Sequence, residues 1–321
     1  MTILKPCILA LLLASPAVAL AAYPEQPIRL IVPHPAGGSS DILARTMAAA
    51  MSKDLGQSIV VENKGGGNGA IAAQTVATAK PDGYTLLLAT ASTHGINPTL
   101  YKKLSYDAVK DFSPVTLFAT VPNVLVVGNK HKSMNGLKDL IKFMKDNPGK
   151  ANMGSAGSGT PGHLAGVMLQ DAEQLDLVHV PFKGGAPAIS ALMGGQIDYL
   201  FTTIPGAIGQ LKAGSIKGLA VSSASRSDAL PDLPTVAESG VPGFEAVSWH
   251  GLVAPANTPP EVIDTLYQSA SKALQSEEVK SKLAPEGARA AKMTPEEFGA
   301  FIKTQIETWG KAVKSSGAHA D

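Results

Sequence analysis

The chain has 321 residues, with 27 basic against 26 acidic side chains, 45% hydrophobic and 17% charged residues. A single domain usually holds roughly 100–200 residues, so this length calls for two domains with ample core. The even charge excludes a nucleic-acid binder, which needs a basic excess against phosphates, and the ordinary apolar content excludes disorder.

Lys5 precedes a small, apolar run from Ile8 to Leu20 that ends in Ala21-Ala22. A positive start, a short apolar stretch and an A-x-A site predict a secretory signal peptide over residues 1–22, cut after Ala21 or Ala22. The run is shorter than the ~20 residues a membrane span needs, and Pro16 interrupts it. Cys7, the only cysteine, lies ahead of the apolar run and would leave with it. A soluble, exported, periplasmic protein without lipid anchor, disulfide or cysteine nucleophile is therefore expected.

Beyond the leader, short β-type runs alternate with helical patterns. Ile28–Val32 reads as a buried strand, Ser39–Leu55 as a helix stopped by Gly56, and Ser58–Glu62 as a second strand. Asn68–Ala79 reads as a helix ended by Pro81-Asp82-Gly83, and Tyr84–Ala89 as a third strand. The alternation resumes with a helix near 137–145, a strand near Asn152, a helix from Thr160 and a strand at Leu177–Val180. Helix Ala186–Met193, strand Ile197–Phe201, helix Pro205–Ala213 and strand Gly218–Val221 follow. Two amphipathic helices, Pro259–Leu274 and Pro295–Lys314, flank a short strand near the end. This order predicts an α/β fold of mainly parallel sheets with helices on both faces. Val121–Val127 and Phe244–Ala254 are two candidate crossings between lobes. They give a first domain of 23–122 with 246–321, a second of 123–245, and a hinge of two strands.

Ligands in such sheets sit beyond the carboxyl ends of strands, at helix N-termini. Four loops fall there. Pro33-His34-Pro35-Ala36-Gly37-Gly38-Ser39-Ser40-Asp41 joins the first strand to its helix, where glycines and free amides favour an anion. A plain turn capped by Ser39 or Asp41 is the alternative. The others are Ala91–Pro98, Ser155–His163 and Pro181–Ala186. Gly157-Ser158-Gly159-Thr160-Pro161-Gly162 spells G-x-G-x-x-G, but no acidic residue closes the next strand to hold a ribose; Asp176 opens it instead. No G-x-S-x-G elbow, P-loop or paired-histidine metal motif occurs, so neither metal nor cofactor is expected. His34, His94, His163 and His250 stand near strand ends, where an isolated histidine is more often structural than catalytic. Amide-rich loops without a nucleophile or metal set point to capture without conversion.

These motifs, in one order from Tyr23-Pro24-Glu25-Gln26-Pro27-Ile28 through Pro35–Asp41, Pro81–Thr85, Gly157–His163, Gly194–Asp198 and Leu233–Val236, closely resemble the Bug family. Its members are the extracytoplasmic solute-binding proteins of tripartite tricarboxylate transporters. The resemblance implies a two-lobed periplasmic-binding-protein fold of the two-crossing type. It also implies carboxylate capture by backbone amides, hydroxyls and ordered waters rather than an arginine clamp, with no enzymatic turnover. Carried onto this chain, Ala36, Gly37, Gly38, Ser39 and Asp41 form the first-lobe face, with Ser92 and Thr93 beside them. Ser155, Ala156, Ser158, Gly159, Thr160 and His163 face them, with Lys183, Gly184 and Gly185 alongside. Asp41 fits a loop-fixing role better than direct contact with an anion. Where relatives often carry an acidic residue, this chain has Thr202. A neutral Thr202 favours a dicarboxylate, aliphatic or aromatic, over an amino acid. A monomer serving membrane permease subunits, or a sensor protein, is the expected setting. An exported serine hydrolase and a structural envelope protein are the rival classes.

Overall fold

The computed structural model describes residues 23–320, so the predicted leader lies outside the described residues. The chain runs β1 (Ile28–Val32), α1 (Ser39–Leu55), β2 (Ile59–Asn63), α2 (Ala70–Ala77), β3 (Thr85–Thr90), α3 (Asn97–Leu100) and β4 (Phe112–Val127). It continues through α4 (Leu137–Asp146), β5 (Ala151–Ser155), α5 (Pro161–Glu173), β6 (Leu177–Pro181), α6 (Gly185–Met193), β7 (Tyr199–Thr203), α7 (Ile204–Lys212) and β8 (Lys217–Val221). It closes with β9 (Val247–Pro255), α8 (Pro260–Gln275), α9 (Glu277–Leu283), β10 (Arg289–Ala290) and α10 (Pro295–Ser316).

The strands divide into two sheets that share β4. One sheet holds β2-β1-β3-β9-β4 with β10 on β4; the other holds β6-β5-β7-β4 with β8 on β4. Pairing is parallel at the outer strands, β1 with β2 and β3, and β5 with β6 and β7. Around β4 and β9 it turns antiparallel. The chain must run out along one crossing strand and back along the other, which forces that reversal. β4 pairs with β9 as far as Pro122–Val247 and with β7 from Asn123–Thr203 onward, so one strand serves both lobes.

Packing follows from the pleat, which sends alternate residues to opposite faces. Ile28, Leu30 and Val32 join Leu43, Met47 and Met51 of α1 and Leu266 and Ala270 of α8 in one buried layer. Ile31, Leu87 and Ala89 face the other way, toward Phe298, Ile302 and Trp309 of α10. In the second lobe Val124, Val126 and Leu200 pack under Ile189, Leu192 and Ala207 of α6 and α7. α10 also packs on α5, and Ser315 Oγ donates to Asp171 Oδ1 at 2.7 Å, so this terminal helix braces both lobes.

Candidate functional site

A cavity of about 610 Å³ opens between the lobes where the strands give way to helices. Four elements begin on it. Gly38 and Ser39 open α1, Thr160 and Pro161 open α5, Gly185 opens α6, and Thr203 precedes α7. The first amides of a helix have no intrahelical partner, so the starts of α1 and α6 present free N–H groups, and each helix the positive end of its dipole. At α5, Pro161 has no N–H and Thr160 Oγ1 accepts the His163 amide, which leaves the Gly162 amide there. Val121, Asn123, Ser248, Trp249 and His250 of the crossing strands complete the lining, with Phe201 and Thr202 of β7. No Lys, Arg, Asp or Glu is among the lining residues.

The loop before α1 is held open by its own acid. Gly37 sits at φ +85°, a left-handed conformation that suits glycine, and its amide donates to Asp41 Oδ2 at 2.9 Å. Asp41 is buried and pairs with Arg45 at 2.9 Å. Burial alone would raise its carboxyl, but Arg45 and the Gly37 amide outweigh that and hold it below the usual carboxylate range. Gly38 caps α1 without a side-chain bond, so neither Ser39 nor Asp41 is the N-cap and the helix amides stay free. Gly162 serves the facing lobe: a Cβ there would stand 2.4 Å from the Phe201 carbonyl oxygen, so only glycine lets α5 start so close to β7.

Two histidines reach the cavity, His34 from the end of β1 and His250 from β9. Ser40 Oγ and His250 Nε2 are hydrogen-bonded at 2.8 Å. Burial, then the neighbouring His34, pushes His250 down to about 3, and burial likewise lowers His34. Both rings are therefore neutral near pH 7. Within the cavity lining, the Ser40–His250 contact is the nearest thing to a nucleophile and base. However, His250 Nδ1 has no partner to orient the ring, and so depressed a group makes a weak base.

Of the residues expected at a ligand, the lining contains Ala36, Gly37, Gly38, Ser39, Ser92, Ala156, Thr160, Gly185 and Thr202. The others lie behind it or apart from it. Asp41 supports the loop as described. Thr93 is fully buried, accepting the Thr90 amide at 3.0 Å and bonding His94 Nδ1 at 2.9 Å. His94 is a core residue against Phe112. Ser155 Oγ bonds His179 Nε2 at 2.6 Å, and Gly159 is wedged on Leu100. His163 accepts the Gly159 amide and stacks on His179 at 3.8 Å. Ser158 and His163 border a separate crevice of about 420 Å³ beside Ser315–His319. Lys183 is exposed, and Gly184 donates to the Ala156 carbonyl, bracing the loop. Sequence reasoning missed Asn123, Ser248 and Trp249, which only the crossing strands β4 and β9 bring to the cavity, Thr203 at the end of β7, and Ser40, which lies in the first loop but was not among the residues expected at a ligand.

A crevice of equal volume lies on the other side of the crossing strands. Thr120 and Pro122 border it while Val121 and Asn123 border the cleft, as the alternating pleat requires. Its walls carry Arg226, Asp228, Glu245, Lys280 and Arg289 and receive no helix N-terminus of eight or more residues. Among the described residues no three His, Cys, Asp or Glu side chains form a metal-holding group, and no helix is long and apolar enough to cross a membrane.

A model of the tripartite tricarboxylate transporter family receptor matches residues 43–318. Protein BugT of Bordetella pertussis is 34% identical over 302 residues, covering 94% of this chain and 92% of BugT. A Rhodopseudomonas palustris protein solved with adipate is 35% identical, covers 92% of this chain and 99% of that one, and superposes with TM-score 0.82. MatC from the same organism, solved with bound malate, is 33% identical, covers 91% and 100%, and superposes with TM-score 0.77.

Proposed function

The chain belongs to the tripartite tricarboxylate transporter receptor family of periplasmic solute-binding proteins, and from that premise we propose that it captures a small dicarboxylate, aliphatic or aromatic. The observation that carries this reading is the interlobe cavity bordered by the starts of α1, α5 and α6, without a charged side chain in its lining. One carboxylate would lie on the amides of Gly38, Ser39 and Ser40, and the other on the α5 and α6 ends of the second lobe. A buried Thr202 leaves no acid in the lining to hold an ammonium. Adipate and malate, bound by two similar proteins, are both dicarboxylates.

Magnitudes allow it. A hydrogen bond to a charged group contributes roughly 1.5–3 kcal/mol, and micromolar binding needs about 8 kcal/mol. Four or five such contacts reach that level after the ordering cost of closure. Ligand held by both lobes favours the closed conformer by differential affinity. In this reading residues 1–22 are removed on export, 23–122 with 246–321 form the first lobe, and 123–245 form the second. The loaded monomer then delivers its ligand to the membrane permease subunits of a tripartite tricarboxylate-type transporter. A thermal-shift screen of protein denatured and refolded to strip carried-over ligand tests the reading. Ligand at 100 times its Kd adds about 2.7 kcal/mol. A rise in Tm with diacids is expected; a rise with amino acids alone would refute the ligand class.

A further inference from the structure

Ser39, the first residue of α1, borders the cavity, yet its hydroxyl is already engaged: Ser39 Oγ donates to Glu286 Oε2 at 3.2 Å. Glu286 ends a 3-10 turn, Ala284–Glu286, far along the chain between α9 and β10. It differs from the other carboxylate near this loop. Asp41 is neutralised by Arg45, whereas Glu286 forms no ion pair among the described residues. The next residues fix where it stands. Gly287 is pressed on Ile204 at the start of α7, where a Cβ would come within 2.8 Å of Ile204 Cδ1. Arg289 Nη1 donates to Ser225 Oγ at 3.1 Å, and β10 pairs with β4 at Ala119 and Thr120, beside the crossing. Glu286 is thus delivered to the start of α1 by a strap that touches both lobes.

We propose that Glu286 is a specificity-determining residue, a built-in carboxylate that competes with the ligand's carboxylate for Ser39 and for the positive end of α1. This rests on the carboxylate-capture reading above. A serine has one hydroxyl hydrogen, so Ser39 serves Glu286 or the ligand, but not both. The two anions are drawn to the same helix end and repel one another across it. Glu286 therefore lowers affinity for every anion at this end and penalises dianions more than monoanions. Calorimetric titration of wild type, Glu286→Gln and Glu286→Ala with succinate, adipate and phthalate at low and high salt tests it. Both variants should bind the preferred diacid about threefold to tenfold more tightly at low salt, with the gain shrinking toward 1 M salt. In a Ser39→Ala background the gain should fall. A purely structural strap residue gives the opposite sign, because loosening the loop weakens binding. Equal or weaker binding by both variants overturns the competitor while leaving diacid capture standing. Failure of wild type and both variants to bind any diacid overturns the capture reading and the competitor with it.

Discussion

Gly37 at φ +85° shows how far one residue sets the site. A side chain in that conformation costs about 1–2 kcal/mol. Gly37→Ala should lower Tm by a few degrees in a calorimetric scan and weaken diacid binding, because the Asp41 clamp on the loop amide is strained. Histidines give a pH test. His94 and His250 are pushed down to about 3, chiefly by burial, while an unfolded imidazole titrates near 6.5. The unfolded chain therefore takes up protons first as pH falls. The stability tied to these neutral rings is complete above about pH 6.5 and declines below it, by about 1.4 kcal/mol per pH unit for each ring. Tm should fall from pH 7 to 4.5, and His94→Leu should fall less steeply. Diacid affinity should stay flat from about pH 7 to 8, where the titratable side chains lining the cavity, His34 and His250, are neutral and a simple diacid is fully ionised. At this scale the loop Pro35–Asp41 was legible because glycines beside a helix start have few other uses. The Ser40–His250 and Ser39–Glu286 contacts were not, because partners 210 and 247 residues apart leave no spacing to read.

Elements were legible where local pattern and packing agree. The β–α units from β1 to β3 and from β5 to β8 follow their apolar runs to within about two residues, as boundary fraying allows. β4 did not: its first nine residues contain Pro114, and its pairing with β9 slips at Pro114–Thr116 and Leu117–Ala119. Proline and bulges erase the strand signal there, and the long partner strand supplies what the local sequence lacks. α9 was also missed, its seven residues being too short for a clear period. α10 was predicted, but its role was not. Gln305 Oε1 accepts both Trp249 Nε1 and Trp309 Nε1 at 2.9 Å, tying β9 at the cavity to the helix that braces both lobes. Gln305→Leu leaves two buried N–H groups unpaired, at about 1–3 kcal/mol each. Its Tm should drop sharply and its indole emission shift, whereas Gln305→Glu keeps an acceptor and most of the stability.

The whole molecule is two sheets joined by a strand that belongs to both, so the cavity exists only where the lobes meet. The crossing runs at Val121–Val127 and Phe244–Ala254 were visible in the sequence, and β4 and β9 lie over them. Which residues face the cleft and which face the rear crevice depends on the pleat at Pro122 and Val247, a register that only pairing defines. That register separates a cleft without charged side chains from a rear crevice that carries Arg226 and Arg289. A crystal structure of the ligand-stripped protein with its most stabilising diacid is the most direct measurement. Amide capture predicts one carboxylate within hydrogen-bond distance of the Gly38, Ser39 and Ser40 amides, and the other against the starts of α5 and α6. A diacid seated instead on Arg226 and Arg289 behind the crossing strands, with the cleft empty, would contradict it.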